Sequence, residues 1–205
     1  MRRVLVLTVT SVVMVLGLAA CGSAAESQDI FRFDGKKLPR SADATLVRGD
    51  GAVSVAIETK VDGALFDLGT PLGGEWKVGD ATTMWFVTWN NPDGCTDGCG
   101  EDEILAFFDS GDNPAGVGVH YATGSVATNR SWNAAATLAE GDDARVLAGD
   151  ALEDAGTAEV HVVVRTHGQA SSLTADELVA ALTTLSGGCA VNLCGDAQAA
   201  VFLAP

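Results

Sequence analysis

The stretch "AEVHVVVRTHG", Ala158–Gly168, decides the fold. Val160, Val162 and Val164 alternate with His161, Val163 and Arg165, and a side-chain period of two marks a β-strand with its valines turned to a core. "VSVAIET", Val53–Thr59, alternates Val53, Val55 and Ile57 against Ser54, Ala56 and Glu58 in the same way. "TTMWFVTWN", residues 82–90, is rich in apolar side chains on both parities, which suits the centre of a sheet covered on both faces. Further strands are expected at "GVGVHYATGSVA" and "SWNAAATLAEGD", neighbours joined by "TNR", and at the closing "DAQAAVFLA". Gly, Asp, Asn and Pro punctuate these runs as turns.

Such spacing predicts a mainly β protein, an antiparallel β-sandwich of immunoglobulin-like or superoxide-dismutase-like type, with one short helix near the C-terminus. That helix is "LTADELVAALTTLSGG", residues 173–188. Thr174 and Glu177 form a capping box, Leu178, Ala181, Leu182 and Leu185 one apolar face, and Gly187-Gly188 a stop. It is expected to cover core.

At the start of the chain, "MRRVLVLTVTSVVMVLGLAACGS" sets Arg2 and Arg3 before an uncharged run, Val4 to Ala20, in the manner of an export signal. Leu18-Ala19-Ala20-Cys21 resembles the lipobox of bacterial lipoproteins. The resemblance implies cleavage after Ala20 and acylation of Cys21, so that the membrane is a partner through the lipid anchor and the mature protein sits on the extracytoplasmic side of the cell membrane. Residues 1–20 are then a signal peptide, 21–44 the lipidated N-terminus and tether, and 45–205 the sandwich domain. "IFRFDGKKLPRSADA", residues 30–44, reads as tether or as a first edge strand. Without residues 1–20, which hold two arginines and no acids, 10 basic residues face 27 acidic ones, a formal charge of −17. That surface repels phosphate backbones and excludes nucleic acid as a partner class.

Four cysteines besides Cys21, namely Cys95, Cys99, Cys189 and Cys194, make an even number, and outside the cytoplasm disulfides are their default. Three connectivities are open. The two local pairs, Cys95–Cys99 and Cys189–Cys194, need least from the fold, while a crossed pairing would staple two loops together. Spacings of C-x3-C and C-x4-C depart from the C-x2-C knuckles of zinc ribbons and from the C-x-x-C of thioredoxin-type redox centres.

"NNPDGCTDGCGEDE", residues 90–103, is the candidate binding loop, with Asn90, Asn91, Asp93, Asp97, Glu101, Asp102 and Glu103 as its polar side chains. Its acids suit calcium, a hard cation that wants several oxygens, or form a plain solvated loop. The EF-hand pattern does not fit, because Cys95 and Cys99 fall where ligands should stand. His161 and His167 lie on one strand roughly 20 Å apart if it stays straight, too far for one ion. Together with His120 they read as surface or rim residues. Ser171 and Ser172 lack a nucleophile-elbow setting. Arg48-Gly49-Asp50 reads as a turn before a strand, and "LGTPLGGEWKVGD" lacks the ending of a P-loop. No catalytic residue, metal site or cofactor is indicated.

The order of "TTMWFVTWNNPDGC", "CGEDE", "AEVHVVVRTHG", a glycine-cysteine segment and "DAQAAVF" is similar to a group of secreted bacterial proteins, loosely CHRD-like, over most of residues 45–203. The paired histidines of CHRD domains and the H-x-H of copper–zinc superoxide dismutase are absent. The resemblance therefore implies an extracellular sandwich and carries over no site residue. The expected function is a lipid-anchored extracytoplasmic binding or scaffolding domain of the bacterial cell envelope, toward an unknown envelope ligand or protein. A metal-dependent or hydrolytic envelope enzyme is the alternative, and it requires a pocket where His120, His161 or His167 meets acids.

Overall fold

A computed structural model describes residues 24–36, 38, 42–96 and 98–205; the expected signal peptide, Cys21 and Asp97 lie outside them. The strands are β1 (Ala25–Asp29), β2 (Phe31–Arg32), β3 (Asp43–Gly49), β4 (Ala52–Lys60), β5 (Ala64–Asp67), β6 (Thr70–Glu75), β7 (Asp80–Trp89), β8 (Val117–Val126), β9 (Ser131–Ala139), β10 (Val146–Gly149), β11 (Glu159–Gln169) and β12 (Gly195–Phe202). Helix α1 is Glu101–Ser110 and α2 is Ala175–Ala181. Two antiparallel sheets pack face to face as a sandwich: a small one in the order β1-β3-β4-β9 and a large one in the order β10-β8-β7-β11-β12-β5-β6, with β2 also on β12.

The patterns that announce the strands also place them. β11 lies between β7 and β12, its Val160, Val162 and Val164 buried in one core cluster with Leu46, Val53, Val55, Ile57 and Leu138 of the small sheet. Each such side chain contributes roughly 1.5–3 kcal/mol on burial. These facing rows are what hold the layers together. All ten residues of β7 are buried, as a strand covered on both faces requires.

Three expectations are corrected. First, the "SWNAAATLAEGD" strand is no hydrogen-bonded neighbour of "GVGVHYATGSVA": β9 crosses to the small sheet and pairs with β4, Ile57 opposite Ala134. Second, the tether is shorter than residues 21–44. Ala25–Asp29 pairs with β3, and Phe31 and Arg32 pair with Ala199 and Gln198 of β12. Arg48, expected in a turn, pins this edge through Glu26 at 2.8 Å and also donates to the carbonyls of Ala155, Ala158 and Leu203. Third, the described residues hold two α-helices rather than one. Gly100 precedes α1, the Glu103 carboxylate accepts from the Gly100 N–H at 2.9 Å, and Gly111, in the left-handed region at φ 77°, ends it. The acids taken for a loop are the first turn of a helix, where its dipole favours them. The capping box of Thr174 and Glu177 forms as expected, but α2 ends at Ala181, earlier than its apolar face suggested.

Candidate functional site

The outer face of the large sheet, turned away from the sandwich core, carries two caps with a groove between them. The first cap is the β7–β8 connection, residues 90–116. Its loop is closed by the Cys95–Cys99 disulfide, and α1 follows. Ile104 and both cysteines pack onto Val87, Trp89, Val117 and Val119, a second, smaller core on this face. Asn90 and Asn91 are framing residues here: Asn90 donates to Ala151 O at 2.8 Å and accepts from Glu153 N–H at 2.9 Å, and Asn91 donates to Pro114 O.

The acids proposed for calcium are dispersed. Asp93 and Asp102 are exposed, Glu103 caps the helix start, and Glu101 faces the groove. Among the described residues they form no three-ligand cluster.

The second cap is the β11–β12 connection, residues 170–194, containing α2 and the Cys189–Cys194 disulfide. Both local pairings are thus the ones formed. Polar side chains of the sheet hold this cap by its carbonyls: Tyr121 Oη donates to Leu182 O at 2.8 Å, Arg165 Nε to Leu185 O at 3.1 Å, and His167 Nδ1 to Gly187 O at 2.8 Å. Gly124 of β8 permits the approach, since a Cβ there would stand 2.6 Å from Leu182 O.

Between the caps lies a groove of about 340 Å³, floored by Trp85, Val87 and Trp89 of β7, His161, Val163 and Arg165 of β11, and Ala199 and Val201 of β12. Phe31, Phe33, Leu68, Ile104, Phe108 and Leu185 wall it, and Phe108 is 51 % exposed. Apolar side chains left open around a concavity mark a binding surface rather than a core. The Trp89 indole N–H is buried and has no partner among the described residues, a donor that costs stability unless something accepts from it.

Arg165 is the groove's cation. Its guanidinium meets Asp196 at 2.8 Å and Asp67 at 3.4 Å. Burial raises the Asp196 carboxyl above the usual range; Arg165 opposes this, and the nearby Asp67 and Glu101 add to it. Burial also raises Glu101, with Asp102 contributing. Asp67 and Asp196 therefore share one guanidinium, with Glu101 near enough to Asp196 to add to its shift. Farther along β11, His161 Nε2 meets Glu159 Oε1 at 2.7 Å, and its ring lies 4.3 Å from that of Trp89.

Two of the three histidines expected at the surface or rim are fully buried. His120 sits with Thr88, its Nε2 2.9 Å from Oγ1, and burial holds its pKa down to about 4. His167 lies under the second cap; burial again holds its pKa down to about 4, against the Gly187 hydrogen bond. Strand alternation showed which residues share a face but not what covers that face. The three rings have separate partners, so the convergence of histidines with acids that an enzyme reading requires reduces to His161 with Glu159. The groove itself joins residues from Phe31 to Val201, and no local motif could have announced it. No family model, curated protein or solved structure matches this chain.

Proposed function

We propose that this protein is a lipid-anchored extracytoplasmic binding domain of the bacterial cell envelope, and that its groove takes a small molecule with an apolar body and a cationic or hydrogen-bond-donating end. The groove between the caps is the observation that carries the reading. Its volume, about 340 Å³, lies at the small end of the range for ligand pockets, roughly 300–1,000 Å³. Its aromatic walls match an apolar body, and Asp67, Glu101 and Asp196 line the groove with more carboxyl oxygens than Arg165 engages, acceptors for a donor to answer.

An anchor at Cys21 would fit the same reading. Only Gly22, Ser23 and Ala24 stand between Cys21 and β1. At roughly 3.3–3.6 Å per residue, an acylated Cys21 would keep the fold within about 15 Å of the bilayer surface. Apolar molecules dissolved in that surface would then be within reach of the groove.

Titrating dodecylamine and dodecanoate against the emission of Trp85 and Trp89 tests the groove. The amine should shift the emission saturably and the carboxylate should do so more weakly. Ala199→Phe, which fills the floor, should abolish the response while leaving the melting transition in place. Equal responses to both probes would remove the charged end from the proposal, and no response to either would remove the groove. The anchor is tested separately by the mass of the mature N-terminus, expected to begin at a diacylglyceryl Cys21.

A further inference from the structure

A second constellation, independent of the groove, lies beneath the second cap. His167 Nδ1 stands 3.7 Å from Cys194 Sγ and 4.0 Å from Cys189 Sγ. Gly187 O stands 3.7 Å from Cys189 Sγ, 3.9 Å from Cys194 Sγ and 2.8 Å from His167 Nδ1. One nitrogen, two sulfurs and one oxygen thus surround a common point. In a tetrahedral zinc site, with bonds of about 2.3 Å to sulfur and 2.0–2.1 Å to nitrogen, neighbouring ligand atoms lie roughly 3.3–3.8 Å apart. The sulfur–nitrogen and sulfur–oxygen separations already come within a few tenths of an ångström of that range.

Two edges of the tetrahedron are too short as the molecule stands. The sulfurs are joined in a disulfide, and Nδ1 is hydrogen-bonded to Gly187 O. Both edges lengthen by ordinary chemistry.

We propose that His167, Cys189, Cys194 and the Gly187 carbonyl form a buried site for a zinc-class divalent ion that exists only when the Cys189–Cys194 disulfide is reduced. A dithiol reductant supplies two electrons and two protons: the sulfur–sulfur bond breaks, two thiols form, and the dithiol leaves as its own disulfide. The incoming ion then displaces the two thiol protons to solvent. Two thiolates and one divalent cation sum to zero charge, which suits a buried location.

The imidazole is prepared for this role. Thr83 Oγ1 lies 2.9 Å from His167 Nε2 and accepts from Trp85 Nε1 at 2.7 Å. When the imidazole proton moves from Nδ1 to Nε2, Thr83 accepts it as well and turns its own hydroxyl toward Arg165 O, 3.4 Å away. A ligand histidine whose other nitrogen donates to a fixed acceptor is the usual second layer of a metal site.

Cobalt titration of the full mature chain tests the site. The protein is reduced with a phosphine, its free thiols are counted, and Co2+ is added without air. Reduced protein should take up one Co2+ per chain with thiolate charge-transfer and tetrahedral d–d absorption, and zinc should displace it; oxidised protein should show neither band. The Cys95→Ser/Cys99→Ser variant should keep the spectrum, and Cys189→Ser/Cys194→Ser should lose it. His167→Gln should bind at least about tenfold more weakly. A titration in denaturant gives the affinity of unstructured thiols, and the folded reduced chain should exceed it by at least about tenfold. The proposal is overturned by verified free thiols without a tetrahedral spectrum, by a spectrum that follows Cys95 and Cys99, by affinity equal to the denatured chain, or by an unchanged affinity in His167→Gln. Should that variant fail to fold, the two cysteine pairs still decide the matter.

Discussion

Both caps on the outer face are closed by disulfides between cysteines four and five residues apart, yet they are held down by different forces. In the first, Asn90 and Asn91 bond the ends of the connection, while the helix side rests on Ile104 and the cysteines, pressed onto the small apolar cluster around Val117 and Trp89. Hydrogen bonds from Tyr121, Arg165 and His167 to successive carbonyls of residues 182–187 hold the second. Apolar contact has no preferred direction and lets a helix shift by fractions of a turn, whereas three directed bonds fix a segment in one place. α1 is accordingly the wall of the groove expected to yield, and the second cap the wall expected to stay. A ligand entering between them meets one adaptable side and one rigid side.

Acid gives the largest expected effect, about half of it at the second cap. His167 has a folded-state pKa of about 4 against 6.5 for the free side chain, and His120 has the same. Because the folded pKa is the lower one, the unfolded chain takes up protons first as pH falls. Stability is therefore fully present above about pH 6.5, declines toward pH 4 and is lost below it. At 1.36 kcal/mol per pKa unit each histidine accounts for about 3 kcal/mol. Urea denaturation at pH 7, 5.5 and 4 should record this decline, and His167→Gln should flatten it by about half, the remainder belonging to His120. An unchanged slope in that variant would mean that the second cap is not where the protons act.

Removing the disulfides comes next in size. By loop-closure arithmetic each short loop contributes about 2 kcal/mol, nearly the same for both. The local consequences should differ. With Cys189→Ser/Cys194→Ser the three carbonyl bonds remain and the cap stays in place. With Cys95→Ser/Cys99→Ser little beyond Ile104 keeps α1 down. Hydrogen exchange in residues 101–110 should accelerate in the second variant far more than exchange in residues 182–192 does in the first. Similar acceleration in both would erase the distinction between the walls.

The division between what the sequence disclosed and what it hid follows the same physics. β7 and β11 were legible because burial on one or two faces imposes a pattern on consecutive residues. The four cysteines were legible as disulfide formers, with connectivity left open and the local pairs needing least from the fold, and the start of α2 was legible because Thr174 and Glu177 satisfy each other locally. β1 was not: a polar edge strand buries little and so carries no period, while β2 falls in the stretch that reads as tether or as a first edge strand. α1 is hidden although Glu103 stands at its third position and Gly111 at its end, because cysteines and acids make the segment resemble a loop. The groove and the burial of His120 and His167 depend on which distant segments cover a face, and alternation along one strand holds no record of that.

The smallest effect isolates a single tie. Tyr121 lines the sheet under the second cap, its ring edge-on to Trp85 with centroids 5.4 Å apart and its hydroxyl on Leu182 O. Tyr121→Phe keeps the ring and its packing and deletes only the donor, so it should cost about 1 kcal/mol by urea denaturation. Ile104→Ala removes apolar contact of comparable worth from the first cap, since Ile104 is only partly buried. The two variants are thus matched in stability and differ in what they loosen. If directed bonds fix the second cap, Tyr121→Phe should raise hydrogen exchange at Leu182–Leu185 and leave dodecylamine affinity nearly unchanged, because Arg165 and His167 still hold the wall. Ile104→Ala should alter the affinity, because Ile104 both lines the groove and holds α1 on the sheet. The reverse assignment, with affinity following Tyr121 and indifferent to Ile104, would put the adaptable side of the groove on the second cap.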